Sequence, residues 1–396
     1  MPLVTQSTPW GRCFDTTDRV TWMLRVTTMV FAVAMSAYHM IVAYVGTPMA
    51  DFHYPVHVAF ALVVLFLGSA SETRERQSGV RGALHLAWDL GMVVISAAAC
   101  AYLFLWPHYP GNRFIYVQEM TPVEIVLGTG LIIALLDAAR RTVGWVLVAV
   151  LLVFIAYAVL GNYLPGALNH NGFTLDRVLE QSYLTQDGIW NQPIAVTANY
   201  IFLFVLLGSL LLASGAGTFF TELAGSMTRR SVGGPAKTAV VASTFMGMLS
   251  GSSPANVVTT GSFTIPAMRK AGYRPEFAAG VEATASTGGQ LTPPIMGAAA
   301  FLMVEFANVP YTEVMRVAIV PAILYFIAIY SMVHLEAHRL GLSVAADDDG
   351  ASVLSILRRR GYLLISLVVM IFLLWRGYTP TAAGFWAVVS LAGLIL

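Results

Sequence analysis

The sequence predicts an all-α polytopic membrane protein, and three observations carry that class. Of its residues 57% are hydrophobic and only 11% are charged, with a mean hydropathy of +0.71, whereas soluble domains run near a quarter charged. Apolar runs of about 20 residues, the length a helix needs to cross a bilayer, recur along the chain. Two further runs, 236–266 and 275–308, are interrupted at their centres by Gly, Ser, Asn, Thr and Pro. A net charge of +1 offers no field for nucleic acid, and no basic aromatic patch suggests one. Cys13 and Cys100 are far apart and without metal-ligand spacing, so they read as small packing residues rather than as a disulfide framework. The charged N-terminal stretch leads into a run too long for the apolar region of a signal peptide.

The runs fall at 22–45, 56–70, 84–106, 122–139, 142–161, 195–215, 236–266, 275–308, 315–335, 361–376 and 380–396. Their orientation follows from the basic loops, because Lys and Arg favour the cytoplasmic side. Arg12 and Arg19 before the first run, with Arg25 at its start, place the N-terminus in the cytoplasm. Arg74, Arg76 and Arg81 follow the second run, and Arg140 and Arg141 the fourth, while the loops at 46–55 and 107–121 hold Arg113 alone. Trp106 and Tyr109, at the end of a span, read as interface anchors. After the fifth run, the polar stretch 161–194 reads as an external linker dividing a first domain, 1–160, from a second, 195–396. The acidic stretch "ADDDG" at 346–350 reads as a solvated cytoplasmic loop.

The first interrupted run contains "GMLSGSSPANVVTTGSFTIP", residues 247–266. Arg229, Arg230 and Lys237 stand before this segment and Arg269, Lys270 and Arg274 after it, so both flanks belong to the same side. A straight helix cannot leave and return to one side. Gly251, which tolerates unusual dihedrals, and Pro254, which lacks an N–H, supply the turn of a re-entrant hairpin. A short polar turn between two ordinary spans is the alternative, and the doubled basic flank argues against it. The next run, 275–308, would make a straight helix of about 50 Å, too long for one bilayer. "STGGQLTPP" at 286–294 breaks it, and the expectation is a discontinuous helix rather than a proline kink. Broken elements free carbonyls and half-helix ends at membrane depth, the means by which secondary transporters bind substrates and coupling ions. The hard-oxygen set of Ser250, Ser252, Ser253, Asn256, Thr287 and Thr292 suits sodium. No carboxylate lies in either break, which argues against a divalent cation.

The stretch "GSSPANVVTTGSFTIPAMRKAGYRPEFAAGVEATASTGGQLTPPIMGAAAFLMVEF" closely resembles the large membrane subunit of TRAP (tripartite ATP-independent periplasmic) transporters. "ANYIFLFVLLGSLLLASGAG" at 198–217 looks like the start of that subunit, and the spelling is similar to the TAXI branch, where a small four-span subunit is fused ahead of it. The resemblance implies a four-helix scaffold over 1–160, matched by span count and order alone. It then implies the first inverted repeat of an elevator-type transporter, with hairpin 236–266 and broken helix 275–308. It further implies a multi-pass permease of a bacterial or archaeal inner membrane. Such a permease is a sodium symporter that imports small organic anions, carboxylates by default, delivered by a periplasmic solute-binding protein. Sodium is then a coupling ion and no organic cofactor is implied. Carried over by residue, Ser250, Gly251, Ser252, Ser253 and Asn256 match the hairpin tip. Thr287, Gly288, Gly289, Thr292, Pro293 and Pro294 match the broken helix, and both elements help form the sodium and substrate sites in the family. Which atoms coordinate the ion the resemblance leaves open, and Ser252, Ser253, Asn256 and Thr287 are the candidate sodium ligands by their oxygens. The family's large subunit has two such repeats, whereas this sequence holds one and ends at "SLAGLIL" inside an apolar run. It therefore reads as the front part of a longer protein, with the second repeat lost or carried on a separate polypeptide. A scaffold fragment without transport of its own, or a channel built on the hairpin, are the alternatives.

Charges inside the runs are costly and so informative. Glu282 stands about a turn and a half before the break, as a cavity residue or a buried hydrogen-bonding one; Glu305 reads as reaching solvent. Asp89, one turn after His85, reads as half of a buried pair within the bundle or as a contact between the small and large units. An intramembrane serine hydrolase built on "LSGSS" lacks its base, since none of the eight histidines falls in the hairpin or the broken helix.

Overall fold

The computed structural model describes residues 18–76, 79–106, 112–342 and 351–395; Arg12, Cys13, Tyr109 and the acidic stretch 346–350 lie outside the described residues. Among the described residues there are helices and no strands, and seven helices are long and apolar enough to cross a membrane. The chain divides into two compact units, Met1–Ala198 and Asn199–Leu396.

In the first unit, α1 (Arg19–Val45) begins where the Asp18 side chain accepts the Val20 N–H, a capping bond that satisfies an orphan donor. Helices α2 (Ala50–Arg76), α3 (Val80–Leu105), α4 (Pro122–Thr142) and α5 (Trp145–Leu160) follow the expected runs. The start of α4 is fixed by a reciprocal capping box between Thr121 and Glu124, with Pro122 in the first turn. Phe66, Cys100 and Leu131 from α2, α3 and α4 meet in a core with Tyr183 and Trp190. Cys100 is thus a buried packing residue. The partner of Asp89 is Arg141 at 2.6 Å, and Arg141 also pairs with Asp137 at 2.7 Å; His85 is exposed.

Residues 161–194, the stretch read as an external linker, contain helices of their own. They carry α6 (Leu175–Tyr183), capped by Thr174, and the short α7 (Gln192–Val196). The Tyr183 hydroxyl donates to the Ala99 carbonyl at 2.7 Å, and the Trp190 indole donates to the Tyr183 carbonyl at 2.7 Å. Arg113 is buried between Glu180 (3.0 Å) and Glu124 (3.4 Å). Those bonds satisfy polar groups that burial alone would penalise, and so hold a polar segment against an apolar bundle.

The second unit begins within a π-helical turn, Thr197–Ile201, and continues with α8 (Phe202–Ala213) and α9 (Ala216–Thr228). The hairpin is α10 (Gly234–Ser250) and α11 (Ser253–Lys270), joined by only two residues. At 1.5 Å per residue each arm is about 26 Å long, so a tip reached from one side lies deep in a hydrocarbon layer about 30 Å thick. The broken helix is α12 (Pro275–Gly288), a 3₁₀ turn Gly289–Leu291, an irregular stretch 292–297, and α13 (Ala298–Ala307). Helices α14 (Tyr311–Arg339), α15 (Val353–Arg360), α16 (Leu364–Trp375) and α17 (Pro380–Ile395) complete the unit. Ala236, Ala239, Ala278, Ala285 and Ala337 line the core shared by α10, α12 and α14, the small residues that let membrane helices approach closely.

The base of the hairpin is closed. Tyr273, just past α11, donates its hydroxyl to the Gly233 carbonyl, just before α10, at 3.5 Å. Burial and the neighbouring Glu336 carboxylate push that phenol up to about 12, so it remains a donor. Residues 233 and 273 therefore lie at one end, as the doubled basic flank requires.

Candidate functional site

The two interruptions meet. Ser250 ends α10 and Gly251, at φ +59°, returns its N–H to the Gly247 carbonyl at 2.9 Å. This left-handed cap is the position for which Gly is suited. A Cβ added to Gly251 would fall 2.1 Å from the Met296 carbonyl oxygen, and one added to Gly247 would fall 2.4 Å from the Cα of Gly289. The end of the first hairpin arm thus touches the break of the neighbouring helix backbone to backbone, in the last turn of α10 and at its cap.

Four half-helix ends converge there. The C-terminal ends of α10 and α12 meet at Gly247 and Gly289, and Gly251, the C-cap of α10, abuts Met296 and Gly297, which precede α13, with α11 beginning two residues further on at Ser253. Helix C-termini favour cations and N-termini favour anions. The junction therefore places a cation-favouring and an anion-favouring end pair side by side, without a charged side chain from either break.

The expected side chains divide. Ser253 and Thr287 come together, their hydroxyls 3.1 Å apart and exposed. Ser252 caps α11 by accepting the Ala255 N–H at 3.4 Å, and Ser250 bonds to the backbone of Ser252 at 3.3 and 3.4 Å. Asn256 turns inward instead: it is buried, donates to the Ser243 carbonyl at 2.8 Å, and does not bond to Ser253 or Thr287. The Gly288 carbonyl accepts the Thr292 hydroxyl at 2.9 Å, and the Gly289 carbonyl accepts the Thr292 N–H at 3.1 Å. Each carbonyl retains a second lone pair. Pro293 and Pro294 lie in the irregular stretch, where Tyr311 shares its hydroxyl between the Pro294 and Ile295 carbonyls at 2.8 and 2.7 Å.

Sequence reasoning missed three contributors. Tyr311 anchors the irregular stretch from α14; Met296, at φ +60°, supplies the carbonyl against Gly251. The third is a set of hydroxyls around Glu282, from Ser243, Thr260, Thr264 and Ser286. The four-residue spacings of Thr260 with Thr264 and of Glu282 with Ser286 are the signal that put each pair on one helix face.

A family model described as Tripartite ATP-independent periplasmic transporter, DctM component, matches residues 130–396. The chain is similar to the C4-dicarboxylate TRAP transporter large permease protein DctM of Pseudomonas aeruginosa, 29% identical over 184 residues, 46% of this chain and 42% of that protein. It is likewise similar to the protein of that name from Vibrio cholerae, 30% identical over 184 residues, 46% of this chain and 40% of that one. It also resembles the isethionate TRAP transporter permease protein DctMQ of Oleidesulfovibrio alaskensis, 36% identical over 91 residues, 23% of this chain and 14% of that one. The chain spans less than half the length of these relatives. With a match over two thirds of its residues and helices fit to cross a membrane, this multi-pass chain belongs to the DctM-component family of tripartite ATP-independent periplasmic transporters.

Proposed function

We propose that the chain is a membrane permease component of a sodium-driven secondary transporter of the bacterial inner membrane, which imports small organic anions handed over by a periplasmic solute-binding protein. The observation that carries this reading is the junction of four half-helix ends, where a cation and a carboxylate can be held side by side. The carboxylate faces the starts of α11 and α13. Sodium takes the Ser252, Ser253 and Thr287 oxygens and the carbonyls from Thr287 to Gly289, with Asn256 holding the tip in place from below. In this reading the first unit is a scaffold, the hairpin and broken helix move with the substrate, and the N-terminus is cytoplasmic. The names of the similar permeases, for C4-dicarboxylate and for isethionate, support a small anionic substrate.

The test uses a full-length relative carrying the same hairpin, reconstituted in vesicles with its binding protein and a radiolabelled C4-dicarboxylate. Uptake should require an inward sodium gradient and the binding protein together. Ser253→Ala and Thr287→Ala should each raise the half-saturating sodium concentration roughly tenfold, the effect of losing about 1.4 kcal/mol of ligation. Uptake driven equally well by protons without sodium would refute the reading.

A further inference from the structure

One carboxylate of the second unit takes no part in the junction. Glu282, on α12, is fully buried. Its Oε1 accepts from Ser243 Oγ at 2.8 Å and Ser286 Oγ at 3.2 Å and meets Thr260 Oγ1; its Oε2 accepts from Thr264 Oγ1 at 2.5 Å. Ser243 lies on α10, Thr260 and Thr264 on α11, and Ser286 on α12, so three helices aim oxygen atoms at one point.

Two features of this cluster point to a missing positive charge. The first is a shortage of hydrogens. The four hydroxyls take part in eight oxygen–oxygen contacts, which include the Asn256 carbonyl and side-chain oxygen, the Thr260 carbonyl, and the contact between Ser243 and Thr260. Each hydroxyl carries one hydrogen, so four hydrogens serve eight contacts. An all-oxygen cluster with fewer hydrogens than contacts is one that a hard cation can satisfy. The second is the lack of a cationic partner. Among the described residues no Lys, Arg or His forms an ion pair with Glu282. Lys237, on α10, is bonded to His334 of α14 at 3.0 Å. Arg269 and Lys270 are exposed in the last turn of α11, and Glu276 is exposed at the start of α12. On α14, Tyr325 is bonded to the Thr284 carbonyl, and Tyr330 lies beneath the Lys237 ammonium. A carboxylate buried without a countercharge is unfavourable until a cation or a proton neutralises it.

We infer that Glu282, Ser243, Thr260, Thr264 and Ser286 form a binding site for one small monovalent cation of the size of sodium, separate from the oxygens at the hairpin tip. The ligand set is all oxygen, which suits a hard cation and no soft metal. A single carboxylate balances a single positive charge, so a divalent ion would leave the site charged. A cavity of about 460 Å³ reaches the edge of the cluster: Thr264, the residue that bonds Oε2, lines it together with Glu222 and Arg229. An ion held there draws both hairpin arms and the first half of the broken helix to one centre, so occupancy and the position of the hairpin are linked.

The inference does not depend on sodium binding at the tip, and the experiment separates the two. Binding of radioactive sodium to the purified chain in detergent is measured by equilibrium dialysis, with choline as the replacing cation, beside thermal unfolding at rising sodium concentration. Glu282→Gln, which keeps the shape and removes the charge, should bind one fewer sodium ion per chain. In choline it should be more stable than the unsubstituted chain, and it should lose the sodium-dependent rise in Tm that a merely structural residue would leave in place. Thr264→Val and Ser286→Ala, which keep the carboxylate, should each raise the half-saturating concentration about tenfold, and they decide the matter if Glu282→Gln does not fold. A folded Glu282→Gln chain that binds the full complement of sodium overturns the inference, as do unchanged half-saturation values in both hydroxyl variants. If Ser253→Ala and Thr287→Ala leave sodium binding intact while Glu282→Gln removes it, this site stands and the sodium site at the tip falls.

Discussion

The contact between Gly247 and Gly289 can be probed by one methyl group. A Cβ on Gly247 would lie 2.4 Å from the Cα of Gly289, whereas carbon atoms rest at about 3.5–4.0 Å. Both partners are backbone, so no side chain can swing aside, and the hairpin tip must part from the broken helix by about 1 Å. Overpacking of this kind costs about 1–3 kcal/mol. Gly280 lies on α12 with nothing within 4 Å of an added Cβ, and Ala there should gain close to the ~1 kcal/mol by which Ala exceeds Gly in a helix. The two single-methyl variants should therefore shift Tm in opposite directions. Their separation should be at least about 2 kcal/mol, or roughly 4 °C for a unit of this size. Thermal unfolding of the purified chain in detergent measures it. A second readout uses Cys at positions 253 and 287, whose native hydroxyls are 3.1 Å apart, in a background without Cys13 and Cys100. Oxidation should cross-link them readily, and Gly247→Ala should slow that reaction. If Gly247→Ala is as stable as Gly280→Ala and cross-links at the native rate, the two backbones do not touch and the junction is wrongly drawn.

Three other outcomes follow from the same geometry. Single cysteines replacing Ser231 and Ala271 should react with an impermeant maleimide from the same side of the membrane, because Tyr273 and Gly233 close the hairpin base; labelling from opposite sides would show two ordinary spans. Arg141→Met should destabilise the first unit by about 3–5 kcal/mol, since it leaves buried Asp89 without its cation, while Asp89→Asn should cost less because Arg141 keeps Asp137; equal losses on thermal unfolding would show that Asp89 is not the dependent partner. At the start of α1, bonds from Arg74, Thr21 and the Val20 N–H hold the Asp18 carboxyl below its usual range. Its contribution should be complete above the ordinary Asp value of about 3.9 and fade as pH falls through the lower folded-state value, so the Tm difference between the native chain and Asp18→Asn should be constant from neutral pH to about pH 5 and shrink below about pH 4.

The spans were legible because lipid imposes one length and one composition on every helix that crosses it, and few other sequences satisfy both. The hairpin was legible for a different reason: Arg229, Arg230 and Lys237 on one flank and Arg269, Lys270 and Arg274 on the other cannot lie on opposite sides without breaking the charge rule. Helices outside the lipid pattern were not legible. Helix α6 hides its apolar face, Leu179 and Tyr183, in a stretch rich in Asn, Asp and Gln, where mean polarity says loop and only the four-residue spacing says helix. Helix α9 falls outside the predicted runs because its thirteen residues are too few for a span.

At the junction, the residues that break helices were visible one by one, since Gly251, Gly288, Gly289, Pro293 and Pro294 each carry a backbone consequence that composition reveals. Their partners were not visible, because partnership depends on how helices pack across distances that no local pattern encodes. Asn256 illustrates the difference. Its place beside the tip suggested an oxygen ligand, yet its helix face turns it to Ser243, one arm away. The hydroxyls that gather around Glu282 are individually ordinary in membrane helices, where Ser and Thr bond back to the preceding turn, as Thr260 does to Asn256 and Thr264 to Thr260. What sets them apart is that hydroxyls from α10 and α11 also face one buried carboxylate. A charge of that kind is the feature of the sequence to follow first, because its burial obliges the fold to answer it.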